Sequence, residues 1–172
     1  LPDSLLGSRD AISMNDIGSF NLYGGKDQIN ALRALYTGDG AVHRAGREAL
    51  DVYEAWHAKL ERKQDGNIAD YKPRAGVTYP NTDLARRFQT VARAIKMDLG
   101  LRVATLDFGG WDTHQNQEWV FRQHVGELSG ALRAFYDDLS DVHSRLTVVV
   151  MSEFGRRLKA NQSYGTDHGH GN

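Results

Sequence analysis

The chain has 172 residues, 40% of them hydrophobic, which is enough for one buried core within one domain or part of a larger one. Its 21 Lys and Arg against 22 Asp and Glu leave a net charge of −1 with no basic run, the wrong electrostatics for a nucleic-acid footprint. No apolar stretch nears the roughly 20 residues that span a bilayer, and the lack of cysteine excludes disulfides, thiolate metal sites and cysteine nucleophiles.

Residues 1–25 carry no sustained period and read as loop and turn. A short helix is predicted from about Asp27 to Tyr36, stopped by Gly38-Asp39-Gly40. A longer one follows over about Val42–Lys63, because Ala45, Ala49, Val52, Trp56 and Leu60 recur at three- and four-residue steps. Gly66, Pro73, Gly76 and Pro80 make 64–81 a connection. Asn81 or Thr82 can cap a third helix to about Leu99, with Leu84, Phe88, Val91, Ile95 and Leu99 on its buried stripe and Gly100 at its end.

The second half predicts strand, helix, strand. Leu101–Leu106 is a short β-rich run, followed by a glycine-containing loop over Asp107–His114. Phe121, Val125, Leu128, Leu132, Phe135 and Leu139 mark an amphipathic helix over about Glu118–Leu139. Leu146–Met151 is an uninterrupted apolar run of strand length, suited to a parallel sheet covered on both faces. The expected fold class is therefore α/β. Residues 1–81 form a helical and loop portion, and residues 82–172 a βαβ segment of the same domain whose crossover is right-handed.

In such a sheet ligands bind beyond the carboxyl ends of the strands, which here lead into Asp107–His114 and Ser152–Arg157. Asp112, His114 and Glu153 would converge at that edge. The tail Asp167-His168-Gly169-His170 can fold back over it. Carboxylate and imidazole are the usual oxygen and nitrogen ligands of a divalent cation and the usual proton-transfer groups. Each has a plainer reading: Asp112 can cap the next helix, His114 can lie in its first turn, and Glu153 can complement a helix dipole. Asp167, His168 and His170 are harder to explain that way, since their glycine frame has no evident packing role. Arg156 suits an anionic substrate, and Trp111 a pocket wall. His43, His57, His124 and His143 read as surface or structural.

The motifs GGWDTH, SEFGRR and GTDHGHGN, in that order and with a helix between the first two, closely resemble the bacterial domain-of-unknown-function family 1501. The matching region runs from about Tyr79 to Asn172. The resemblance implies an often twin-arginine-exported, periplasmic or extracytoplasmic protein with an alkaline-phosphatase- and sulfatase-like core, a doubly wound, mostly parallel sheet. By that likeness the metal ligands are Asp112, His114, Asp167, His168 and His170, with Glu153 and Arg156 as catalytic groups. The cofactor is a divalent metal (zinc, manganese, calcium or iron) and the substrate a small anionic phosphate or sulfate ester. Glu153 and Phe154 stand where the wider superfamily carries an Asp-His pair, and Asp112-Thr113-His114 is more tightly spaced than its aspartate and histidine. These departures leave metal number and identity open, with a non-catalytic, envelope-associated binding module as the alternative. The chain lacks an initiator Met and ends inside its site motif, so it is expected to be a fragment whose nucleophile lies elsewhere and which is inactive alone.

Overall fold

The computed structural model describes Met14, Asp16, Ile17, Leu22 and residues 24–171. Four helices carry most of the order: α1 (Gly25–Leu35), α2 (Ala41–Lys59), α3 (Asp83–Lys96) and α4 (Gln117–Asp138), the last followed by a 3-10 turn over Ser140–Arg145. Two-residue strands β1 (Gly155–Arg156) and β2 (His168–Gly169) complete the set. The chain divides into two compact units, one running through Tyr71 and including Arg93–Val103, the other holding Lys72–Ala92 and the residues from Ala104 onward.

In the first unit α1 and α2 pair through Ile29, Leu50 and Tyr53, with Leu22, Leu32 and Tyr36 packed against them. A second cluster gathers Trp56 and Leu60 with Ile17, Ala94 and Met97. Apolar residues three and four apart give a helix one face to bury, but α2 buries Leu50 and Tyr53 while Ala45 and Ala49 of the expected stripe are exposed, and it ends at Lys59, short of the expected Lys63. The Lys59 ammonium closes the end of α3 by donating to the carbonyls of Met97 (2.8 Å) and Asp98 (2.7 Å). Asp98 takes a left-handed φ of 48°, so the helix stops ahead of the expected Leu99.

In the second unit Thr82 caps α3, its Oγ1 accepting the Ala85 N–H at 3.2 Å. Leu84, Ala85, Phe88 and Ala92 are buried, and Phe88 meets Phe135 of α4 with ring centroids 5.0 Å apart. The buried face of α4 is Ala131, Ala134, Phe135 and Asp138. Phe121 and Val125 in its first half are exposed, so only the later part of the predicted stripe forms core. Asp138 is buried with two donors on its carboxylate, the Tyr79 hydroxyl at 3.0 Å and the Arg74 N–H at 2.6 Å.

The doubly wound parallel sheet predicted from the sequence is not there. Among the described residues the sheet content is one antiparallel pair, β1 with β2, in the register Gly155↔Gly169 and Arg156↔His168, and helix makes up 48% of the structure. Neither Leu101–Leu106 nor Leu146–Met151 forms a strand. Val149, Val150 and Met151 are exposed instead of covered on two faces. An apolar run has the composition of a buried strand, but a strand exists only when neighbours take its N–H and C=O groups. No such neighbour pairs with either run among the described residues.

Candidate metal centre

The site lies wholly in the second unit, on two segments stitched backbone to backbone. Asn116 turns into α4 with a left-handed φ of 47° and no side-chain cap, so the helix needs acceptors for its first N–H groups. The turn after β1 supplies them. Asn116 N–H donates to the Ser163 carbonyl at 3.1 Å and Gln117 N–H to the Tyr164 carbonyl at 2.9 Å. The Thr166 hydroxyl bonds the Gln117 side-chain oxygen at 2.8 Å. Gly165 is what allows this approach. A Cβ built there would lie 2.1 Å from the carbonyl carbon and oxygen of His114, so any side chain collides with backbone.

The tail then pairs with β1. Arg156 N–H donates to Gly171 O at 2.6 Å, and Gly171 N–H returns to Arg156 O at 2.8 Å. At Gly169 an added Cβ would come within 2.8 Å of the Arg157 nitrogen. The glycine spacing of the tail therefore does have a packing role, correcting the expectation that it had none.

This stitching brings Asp112, His114 and His168 together, with one ligand atom from each lying within 4.8 Å of the others. Nε2 of His114 is 3.0 Å and Nε2 of His168 3.2 Å from the same oxygen, Oδ1 of Asp112. Bonds of about 2.1 Å to one cation set neighbouring ligand atoms about 3.0 Å apart at right angles and about 3.4 Å apart in a tetrahedron. The two imidazole–carboxylate spacings, 3.0 and 3.2 Å, lie between these values. The three side chains are 55%, 42% and 51% exposed, so the cluster opens to solvent on one side. A neutral imidazole nitrogen aimed at a carboxylate oxygen is a contact between two lone pairs unless a proton or a cation lies between them.

The other expected residues take different places. Asp167 stands behind His114, its Oδ1 3.4 Å from Nδ1 and 3.1 Å from the Asn161 amide nitrogen. The Asn161 hydrogen bond first, then that from His114, holds the Asp167 carboxyl below the ordinary carboxylate range. Arg156 is a strut. Its Nη2 reaches Asp112 Oδ1 at 2.7 Å and the Trp111 carbonyl at 3.0 Å, its Nη1 the Thr166 carbonyl at 2.7 Å, and the side chain is only 16% exposed. Its guanidinium also sits 4.7 Å from the Phe154 ring centroid, and that ring meets His168 edge-on at 4.8 Å. Glu153 and His170 are exposed and outside the cluster. Trp111 packs in an aromatic group with Phe108, Phe121 and His124. His57 and His143 stack on Tyr53 and Tyr136.

The sequence reading passed over Asn161. Its signal was present, since Asn readily bonds the backbone N–H two residues on and starts a turn, and Ser163 follows at that spacing with Gly165 two further on.

The three motifs that resemble one family thus form one piece of structure, and a family comparison agrees with them. A profile described as protein of unknown function (DUF1501) matches residues 12–172. The chain belongs to the DUF1501 family. No curated protein and no solved structure matches this DUF1501 chain. Among the described residues no helix is long and apolar enough to cross a membrane.

Proposed function

We propose that Asp112, His114 and His168 bind one divalent cation and that the protein hydrolyses small phosphate or sulfate esters there. The observation that carries this reading is the meeting of two imidazole nitrogens and a carboxylate oxygen at one solvent-open point. Two nitrogens and one oxygen suit zinc, manganese or iron; calcium prefers an all-oxygen shell. A bound cation of this kind lowers the pKa of its water and polarises a phosphoryl or sulfuryl oxygen. The chain's own residues hold the ligands: Arg156 fixes Asp112, Phe154 packs on His168, and Asp167 backs His114.

The test is a zinc and cobalt(II) titration of the protein, followed by an ester screen on the metal-loaded form. One equivalent should bind, and His114→Ala, His168→Ala and Asp112→Ala should each abolish it. His170→Ala should leave it within about twofold, since His170 stands outside the cluster. Binding that survives all three ligand substitutions refutes the site.

A non-catalytic binding module is favoured by one observation. Arg156, the expected substrate clamp, spends both Nη atoms on Asp112, Trp111 and Thr166. Stoichiometric metal in the full-length protein without turnover of any phosphate or sulfate ester would select that reading.

A further inference from the structure

Asn161 is saturated. Its Nδ2 donates to the His114 carbonyl at 3.0 Å and to Asp167 Oδ1 at 3.1 Å, while its Oδ1 accepts the N–H groups of Ser163 at 2.9 Å and Gly165 at 3.0 Å. An amide offers two donor hydrogens and two acceptor lone pairs, and all four are used, one on the His114 loop and three on residues 163–167. The acceptor side builds the 161–165 turn. The donor side does something else, gripping the backbone of His114 and the carboxylate that faces the ring of the same residue.

We infer that Asn161 is a positioning residue of the cation centre: it holds Asp167 on Nδ1 of His114, so the ring carries its proton on Nδ1 and presents the lone pair of Nε2 toward Asp112 and His168. This rests on the cation reading above. A neutral imidazole has one proton to place, and the nitrogen that donates to a partner decides which one is left as ligand. Asp112 Oδ1 is the nearer carboxylate oxygen, 3.0 Å from Nε2, but it already accepts the Arg156 guanidinium at 2.7 Å. Asp167 Oδ1, 3.4 Å from Nδ1, meets no guanidinium among the described residues and is steered there by Asn161. Without the backing carboxylate, Asp112 would itself draw the proton to Nε2 and silence the ligand. Asn161 prevents that by fixing where Asp167 Oδ1 sits. The carboxylate–imidazole–metal relay is a recurrent device whose outer members affect metal affinity by about 10- to 100-fold when removed. Here the outermost member is an amide in a turn.

Two variants separate positioning from folding. Asn161→Asp keeps an oxygen for the Ser163 and Gly165 N–H groups but loses both donors and sets a second carboxylate against Asp167. Asp167→Ala removes the backing group and leaves Asn161 in place. The readouts are the nitrogen-15 shifts of the His114 ring in metal-free protein, at a pH where the ring is neutral, and zinc affinity by competition with a chromophoric chelator. Wild type should show the proton on Nδ1. Both variants should move it toward Nε2 and weaken zinc by about 10- to 100-fold. A wild-type ring protonated on Nε2 overturns the inference at once, whatever the variants do. So does an Asn161→Asp protein whose ring shifts and zinc affinity match wild type, which would make Asn161 a turn residue only. A wild type that binds no zinc sinks the cation reading instead, and the ring shifts still decide whether Asn161 sets the tautomer.

Discussion

Gly165→Ala tests the seam on which the centre depends. The new Cβ would meet the His114 carbonyl carbon and oxygen at 2.1 Å and the Gln115 nitrogen at 2.5 Å. All are backbone atoms, so no rotamer change relieves the clash. Ordinary contact begins at 3.4 Å, so one segment must retreat by about 1.3 Å (3.4 less 2.1). That displacement stretches the bonds Gln117 N–Tyr164 O (2.9 Å), Asn116 N–Ser163 O (3.1 Å) and Asn161 Nδ2–His114 O (3.0 Å) beyond hydrogen-bond length. Three bonds at about 1 kcal/mol net each give a loss of about 3 kcal/mol, with the released groups rehydrated. His168 lies on the retreating strand, so zinc affinity should fall by at least about tenfold in parallel. Denaturant unfolding gives the first number and chelator competition the second, while hydrogen exchange should show the Asn116 and Gln117 amides losing protection. A Gly165→Ala protein within 0.5 kcal/mol of wild type, with unchanged zinc affinity, would refute the placement of the tail against the His114 loop.

Three further outcomes follow from the same structure. Gly126→Ala should stabilise the protein by about 0.5–1 kcal/mol in a denaturant titration, because its Cβ meets no atom within 4 Å on the exposed side of α4. Asp138→Ala should cost about 2 kcal/mol, since it removes the buried acceptor of the Tyr79 hydroxyl and the part-buried acceptor of the Arg74 N–H; a loss below 1 kcal/mol would argue against that network. The turn around Asp65 should loosen in acid. Its carboxyl is held below the ordinary 3.8 first by the Asn67 backbone N–H and then by the Asn67 amide, so the stabilisation is complete above 3.8 and lost as pH falls through the depressed value. The Asn67 amide proton shift, followed from pH 6 to pH 2, should report that loss, and Asp65→Asn should remove the transition.

The four helices could be read from sequence because a 3.6-residue period is local. Phe88 on α3 and Phe135 on α4 are marked as buried without knowledge of their partners, whereas α2 buries Leu50 and Tyr53 in place of the expected Ala45 and Ala49. The cap at Thr82 is local in the same way. The parallel sheet misled because strand formation is not local. Val148–Met151 has the composition of a buried strand, but its backbone has no neighbour to pair with among the described residues. The candidate site divides along the same line. Residue types and glycine framing singled out Asp112, His114, Asp167, His168 and His170 from sequence alone, and the fold then brought Asp112, His114 and His168 to one point. Only the tertiary structure distinguished Asp167 behind the imidazole from the three residues that meet in front of it, made Arg156 a strut instead of a substrate clamp, and left Glu153 and His170 outside. These roles depend on which atom lies within 3 Å of which, and that distance is set by Gly165 and Asn161 closing one segment of chain onto another some 50 residues away.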